Sequence, residues 1–161
     1  PTQSSAEKAN ILGWPLERVI TTVYFSSGES RVGVIRQASP VRLATKSLLS
    51  RVLGISGKDA GRYSLNGGVP EGMSPGTCTP FPRESLVGRS ICRLIIVNPT
   101  NVDRQMVDVS IGNYATLPGR GASQVSLHIP YEGIRQILFD RFSEARVTCV
   151  SFDEATRHVE R

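Results

Sequence analysis

A change of period at Pro130 constrains this chain more than any other feature of its sequence. Before it, Val125-Ser126-Leu127-His128-Ile129 alternates apolar with polar residues, the two-residue period of a strand with one buried face. Pro130 has no amide hydrogen, which costs nothing at the first position of a helix. After it, Ile134, Ile137, Leu138 and Phe142 fall at i, i+3, i+4 and i+8 and make one apolar stripe, with Glu132, Arg135, Gln136 and Asp140 opposite. Ser143-Glu144-Ala145 closes that helix, and Arg146–Phe152 is rich in strand formers.

Two further strands precede this switch. Cys92 to Val97 is a short apolar run stopped by Asn98-Pro99, because proline lacks a donor and disfavours helix in the residue before it. Met106, Asp108 and Ser110 alternate with Val107, Val109 and Ile111. Residues 92–152 therefore read as a small α+β domain, a sheet with one amphipathic helix across a face. About sixty residues lie near the lower limit for a self-supporting core.

The N-terminal half repeats the order of strands then helix. Arg18–Phe25 and Arg31–Ile35 predict a hairpin about the turn Ser26–Glu29. Ser39-Pro40 then has the signature of a helix start, with Val41, Ala44, Leu48, Leu49 and Val52 as its apolar face and Gly54 at its end. Residues 18–56 form a hairpin-plus-helix region that is too small to stand alone and is expected to dock on the 92–152 domain. Residues 1–17 are polar and read as an extended arm, with Trp14 either filling a pocket on a partner or packing on the chain's own sheet. Pro1 at the head of the chain is compatible with removal of a transit peptide. Residues 153–161 read as a polar tail.

Between the two halves lies an extended segment, residues 57–91, in which 57–88 hold seven glycines and four prolines, with Asn66-Gly67-Gly68 and Ser74-Pro75-Gly76 as turn signals. Tyr63, Met73 and Phe81 give it apolar handholds, so it is expected to wrap over a partner. The fold class that results is α+β: small mixed or antiparallel sheets, one amphipathic helix on each, and a long Gly/Pro-rich connection.

Charge narrows the partners. The net charge is +5, and between Arg18 and Arg62 eight basic residues stand against only Glu29 and Asp59. Arg36, Arg42, Lys46 and Arg51 are the expected centre of a surface that meets acidic protein or phosphate. No apolar run reaches the roughly 18 residues of a membrane span.

Catalytic sets are missing from the pattern. His128 and His158 lack metal-pair spacing. Cys149 lies in a strand among Val147, Val150 and Phe152, the wrong setting for a thiolate. Neither Asn66-Gly67-Gly68 nor Gly119-Arg120-Gly121 has the spacing of a phosphate loop. The expectation is a protein that is not an enzyme and binds no metal. Three cysteines make no disulfide framework: Cys92 and Cys149 are expected as small core residues, and Cys78 as an exposed thiol.

The run His128–Phe152, with Ile129-Pro130-Tyr131 at the place of a Val-Pro-Tyr turn, a helix over Ile134–Phe142 and a closing strand over Arg146–Phe152, resembles the end of the CpcD-like domain of phycobilisome linker proteins. Cys92–Val97 matches that domain's opening strand, while Glu144-Ala145 stands where the family usually has Gly-Gly. The resemblance implies a non-catalytic linker in photosynthetic light harvesting, docked in or on acidic phycobiliprotein trimers or hexamers together with other linkers. It implies a location on the stromal side of the thylakoid in a plastid, or on the cytoplasmic thylakoid surface of a cyanobacterium. Trp14, Arg36, Arg42, Lys46 and Arg51 would be the partner-binding residues. Some such linkers carry a covalent bilin of the phycoerythrobilin or phycourobilin type, and Cys78 would be the attachment site here. The alternative reading of the same basic surface is an RNA-binding or ribosome-associated α+β protein.

Overall fold

The computed structural model describes residues 4–74, 76–102, 104–115 and 122–158. Its frame is one six-stranded mixed sheet in the order β5-β4-β1-β2-β3-β6. The strands are β1 (Val19–Ser27), β2 (Ser30–Gln37), β3 (Ile91–Val97), β4 (Met106–Ala115), β5 (Ala122–Pro130) and β6 (Val147–Val150). β1–β2 and β4–β5 pair antiparallel, whereas β1–β4, β2–β3 and β3–β6 pair parallel. The mixed α+β class expected from the sequence is the observed one. The two small sheets are in fact one: the β1–β2 hairpin lies between β4 and β3, so the strands of 92–152 meet only across the N-terminal half. A sixty-residue sheet would have had too little to bury, and insertion of the hairpin supplies the missing area.

Helices α2 (Thr45–Leu53), α3 (Gly57–Ala60) and α5 (Phe152–Thr156) cover one face, and α4 (Tyr131–Arg141) the other. β3 shows why the sheet is closed on both sides. Its continuous run Leu94-Ile95-Ile96-Val97 is buried throughout, Leu94 and Ile96 packing toward α4 and Ile95 and Val97 toward α2. Of the predicted stripe, Ile134 and Leu138 on α4 and Phe142 at its C-cap are buried, while Ile137 is half-buried. On α2, Leu48 and Leu49 are almost wholly buried, each contributing about 1.5–3 kcal/mol of transfer free energy.

Several boundaries move. The helix expected at Ser39-Pro40 begins at Thr45: Ser39 instead accepts the amide of Val41 at 3.1 Å in a local turn, and Val41 is exposed. The expected arm is a helix, α1 (Ser5–Leu12), capped by the Ser4 hydroxyl on the Glu7 amide and ended by Gly13 at φ +68°. The polar tail begins as α5, with a full capping box between Ser151 and Glu154 and Ala155 in the core. Positions 159–161 of the tail, 1–3 of the arm, Pro75 and the loop Gly119-Arg120-Gly121 lie outside the described residues.

Candidate functional site

The site forms where β1 loses its neighbour. β4 pairs with β1 only at Val19 and Ile20, opposite Asp108 and Val109. Just beyond, β4 has an irregularity between Ser110 and Gly112, and a bulge of this kind bends a strand away from its partner. Further along, Ser26 exchanges two backbone hydrogen bonds with Ser64 of the Gly/Pro segment, at 2.8 and 3.0 Å. Between these points, no strand among the described residues pairs with this edge of β1.

Strand parity decides which groups are left. The Ala38 amide donates to the Val19 carbonyl, so Val19, Thr21, Val23 and Phe25 point their backbone groups at β2. The Ser26–Ser64 pair shows that even-numbered residues point the other way. The amides and carbonyls of Thr22 and Tyr24 therefore face the gap.

That gap is a cavity of about 330 Å³ between α1, β1, β4 and the Gly/Pro segment, at the small end of ligand-site sizes. Val23, Leu65, Val69 and Cys78 supply apolar lining, and Ser5, Lys8, Thr21, Thr22 and Ser110 supply polar groups. The Gly/Pro segment closes it by three ties to the sheet. These are the Ser64 bridge, the Tyr24 hydroxyl donating to the Thr79 carbonyl at 2.9 Å, and the Ser110 hydroxyl donating to the Thr77 carbonyl at 3.4 Å. Two glycines make this closure possible. A Cβ on Gly67 would stand 1.7 Å from the Ser26 hydroxyl oxygen, and one on Gly33 2.8 Å from both the Tyr24 ring and Leu94. The segment expected to wrap a partner thus wraps its own sheet.

Lys8 at the wall is held from behind. Its ammonium lies 2.6 Å from Asp108, in an ion contact rather than a well-directed hydrogen bond. The other Asp108 oxygen lies 2.8 Å from Nε2 of His128. Asp108 is 2% exposed, so this carboxylate is a buried charge with one partner from α1 and one from β5. Trp14 packs on the His128 ring with centroids 4.8 Å apart, and the Arg18 guanidinium covers Trp14 at 3.8 Å. Trp14 thus packs on its own chain.

Cys78 was expected exposed and is buried. It lines the cavity, and burial pushes its thiol up to about 11. Bilin attachment there rests on an accessible thiol, and Cys78 is enclosed. Burial likewise pushes the Tyr24 hydroxyl upward, which keeps it a donor to Thr79.

The four cations expected at the partner surface have different surroundings. Arg36 is half-buried and donates to the carbonyls of Ser39 and Val41, clamping the loop before α2, and burial pushes its guanidinium down. Arg42 is exposed. Lys46 and Arg51 do come together, and Lys58 and His158 join them around a second groove. Arg51 is anchored there by donation to the Glu154 carbonyl. Among the described residues there is no group of three metal-ligating side chains, and no helix is long and apolar enough to cross a membrane.

Sequence reasoning missed Lys8, Asp108 and the Thr22–Tyr24 edge. The one available signal was Asp108 itself, a residue type that strands disfavour, placed between two buried valines.

No protein-family model and no curated protein matches the chain. Solved structures do, among them the crystal structure titled hypothetical protein APE2540, at 21% identity and a TM-score of 0.56, over 93% of this chain and 85% of that one. A likeness at this identity shows the fold.

Proposed function

We propose that this is a binding protein whose cleft takes a short extended group bearing an amide, the size of an acylated amino acid or a dipeptide. The observation that carries this reading is the free edge of β1, where the Thr22 and Tyr24 peptide groups open into a part-enclosed cavity with apolar walls. Such an edge pairs with an extended ligand backbone, while pockets beside it take the side chain. Val23, Val69 and Cys78 suit a small apolar side chain, and Lys8 offers a charge to a carboxylate or carbonyl end.

Holding rather than reacting fits the groups present. The Cys78 thiol is raised and so a poor nucleophile. Lys8 is ion-paired, and His128 is turned to Asp108. The test is a titration followed by amide chemical shifts, using N-acetyl-alanine methylamide and the dipeptide Ala-Val. Shifts concentrated at Thr22, Tyr24 and Cys78, abolished in Val69→Trp, are expected. No site-localised shift at about 1 mM ligand, where a binding free energy of only about 4 kcal/mol would register, would overturn the reading.

A second reading is the phycobilisome linker implied by the His128–Phe152 resemblance. It draws on the exposure of Arg42, Lys46 and Arg51 for acidic rings. Co-sedimentation with phycobiliprotein rings tests it, and a chain left in the supernatant would end it.

A further inference from the structure

The groove on the far face, away from the cleft, is a second built feature. It has a volume of about 540 Å³ and lies where α2, α3 and the chain after α5 converge. Lys46, Arg51, Lys58 and His158 line it, and the rest of its lining is serine and glycine. Gly57 is part of the construction: a Cβ there would stand 3.3 Å from the Lys46 side chain, so glycine lets that stem lie across α3. Arg51 is fixed by the Ser47 and Glu154 carbonyls.

The acidic residues nearby have partners of their own. Asp59 pairs with Arg62 at 3.5 Å, Asp153 with Arg157 at 3.9 Å, and Glu154 accepts the Ser151 amide in its capping box. Among the described residues no carboxylate lies within ion-pair distance of Lys46, Arg51 or Lys58. Three like charges gathered into one concavity focus a positive potential there.

From this we infer that the groove binds the phosphodiester backbone of a nucleic-acid strand. The lining decides between phosphate and protein. Protein interfaces are centred on large apolar anchors, and this groove is lined by no Phe, Tyr, Trp, Met or aliphatic side chain. Nucleic-acid interfaces are polar and strongly positive. With no Phe, Tyr or Trp in the lining to form a stacking platform, contact is chiefly to phosphates and carries no sequence preference.

The experiment is fluorescence anisotropy with fluorescein-labelled RNA and DNA oligomers of about eight nucleotides, within the span of one single-strand site. Both are expected to bind, with affinities within a few-fold of each other and falling steeply with salt. Each phosphate contact to a single strand adds about −0.7 to the slope of log affinity against log salt. The double variant Lys46→Glu/Lys58→Glu removes two such contacts from exposed positions, so the slope is expected to shrink by about 1.4 and the affinity to fall at least about tenfold. The milder Lys46→Ala/Lys58→Ala pair should show the same slope change with an unaltered melting temperature. An unchanged slope in either variant would overturn the inference. So would displacement of the oligomer by poly-glutamate as readily as by unlabelled RNA, since the groove would then be reading acidic protein. The cleft plays no part in this assay, so either proposal can fail alone.

Discussion

The two edges of β1 differ in kind although the residues between them are the same. Along one edge β2 pairs continuously from Ile20 to Ser27. Along the other, β4 pairs at two residues, Ser64 meets Ser26, and Thr22 and Tyr24 face a cavity. A strand edge left open is a hazard that folds usually cover. Here the Gly/Pro segment covers it at a distance, bridging at Ser64, Thr77 and Thr79 and leaving a space of ligand size. The difference teaches that the site is made by what fails to pair, not by a cluster of reactive side chains.

The strongest way to break this contrast is to remove what holds α1 at the open edge. Lys8→Met leaves the buried Asp108 carboxylate with His128 alone, and is expected to cost about 3–5 kcal/mol by chemical denaturation. Part of that loss should return when Asp108→Asn is added. A cost below about 1 kcal/mol would mean that the ion contact carries little of the edge.

Next comes the enclosure of the cavity. With its thiol pushed up to about 11, Cys78 holds on the order of a hundredfold less thiolate than an ordinary cysteine at pH 8. Its alkylation by iodoacetamide should be slower by at least that factor than in the urea-unfolded chain. The rate should keep rising as pH passes 9 and level only near 11. Alkylation at the unfolded rate would show that the Gly/Pro segment does not close over the cleft.

Gly33→Ala sharpens the comparison from the paired side. The added methyl meets the Tyr24 ring and Leu94 at 2.8 Å, and overpacking of this kind costs about 1–3 kcal/mol. The displaced ring should also loosen the Thr79 tie, visible as faster amide exchange in residues 76–79. The smallest effect is expected from Leu65→Ala. Leu65 is 59% exposed at the mouth, so stability should change by no more than about 0.5 kcal/mol while ligand affinity at the cleft falls.

Much of the frame was legible in residues taken locally. The period switch at Pro130 placed β5 and α4, and the β-branched run after Arg18 placed β1. α1 was not legible, because only Ala9 of its eight residues is buried and no stripe marks it. The cleft was not legible because it depends on how far β4 follows β1, a matter of residues some ninety positions apart. Asp108 is understood only with Lys8 and His128 beside it, one from each end of the chain. Cys78 looked exposed among threonines and prolines because nothing local says which surface a Gly/Pro segment will lie on.

The measurement that bears most directly on this account is residue-resolved hydrogen exchange across Thr21–Phe25. The open edge predicts alternation: slow exchange at Thr21, Val23 and Phe25, whose amides donate to β2, and fast exchange at Thr22 and Tyr24, slowed when a dipeptide occupies the cleft. Uniform protection of all five amides without ligand would mean that β1 is paired on both edges, and the proposed site would not exist.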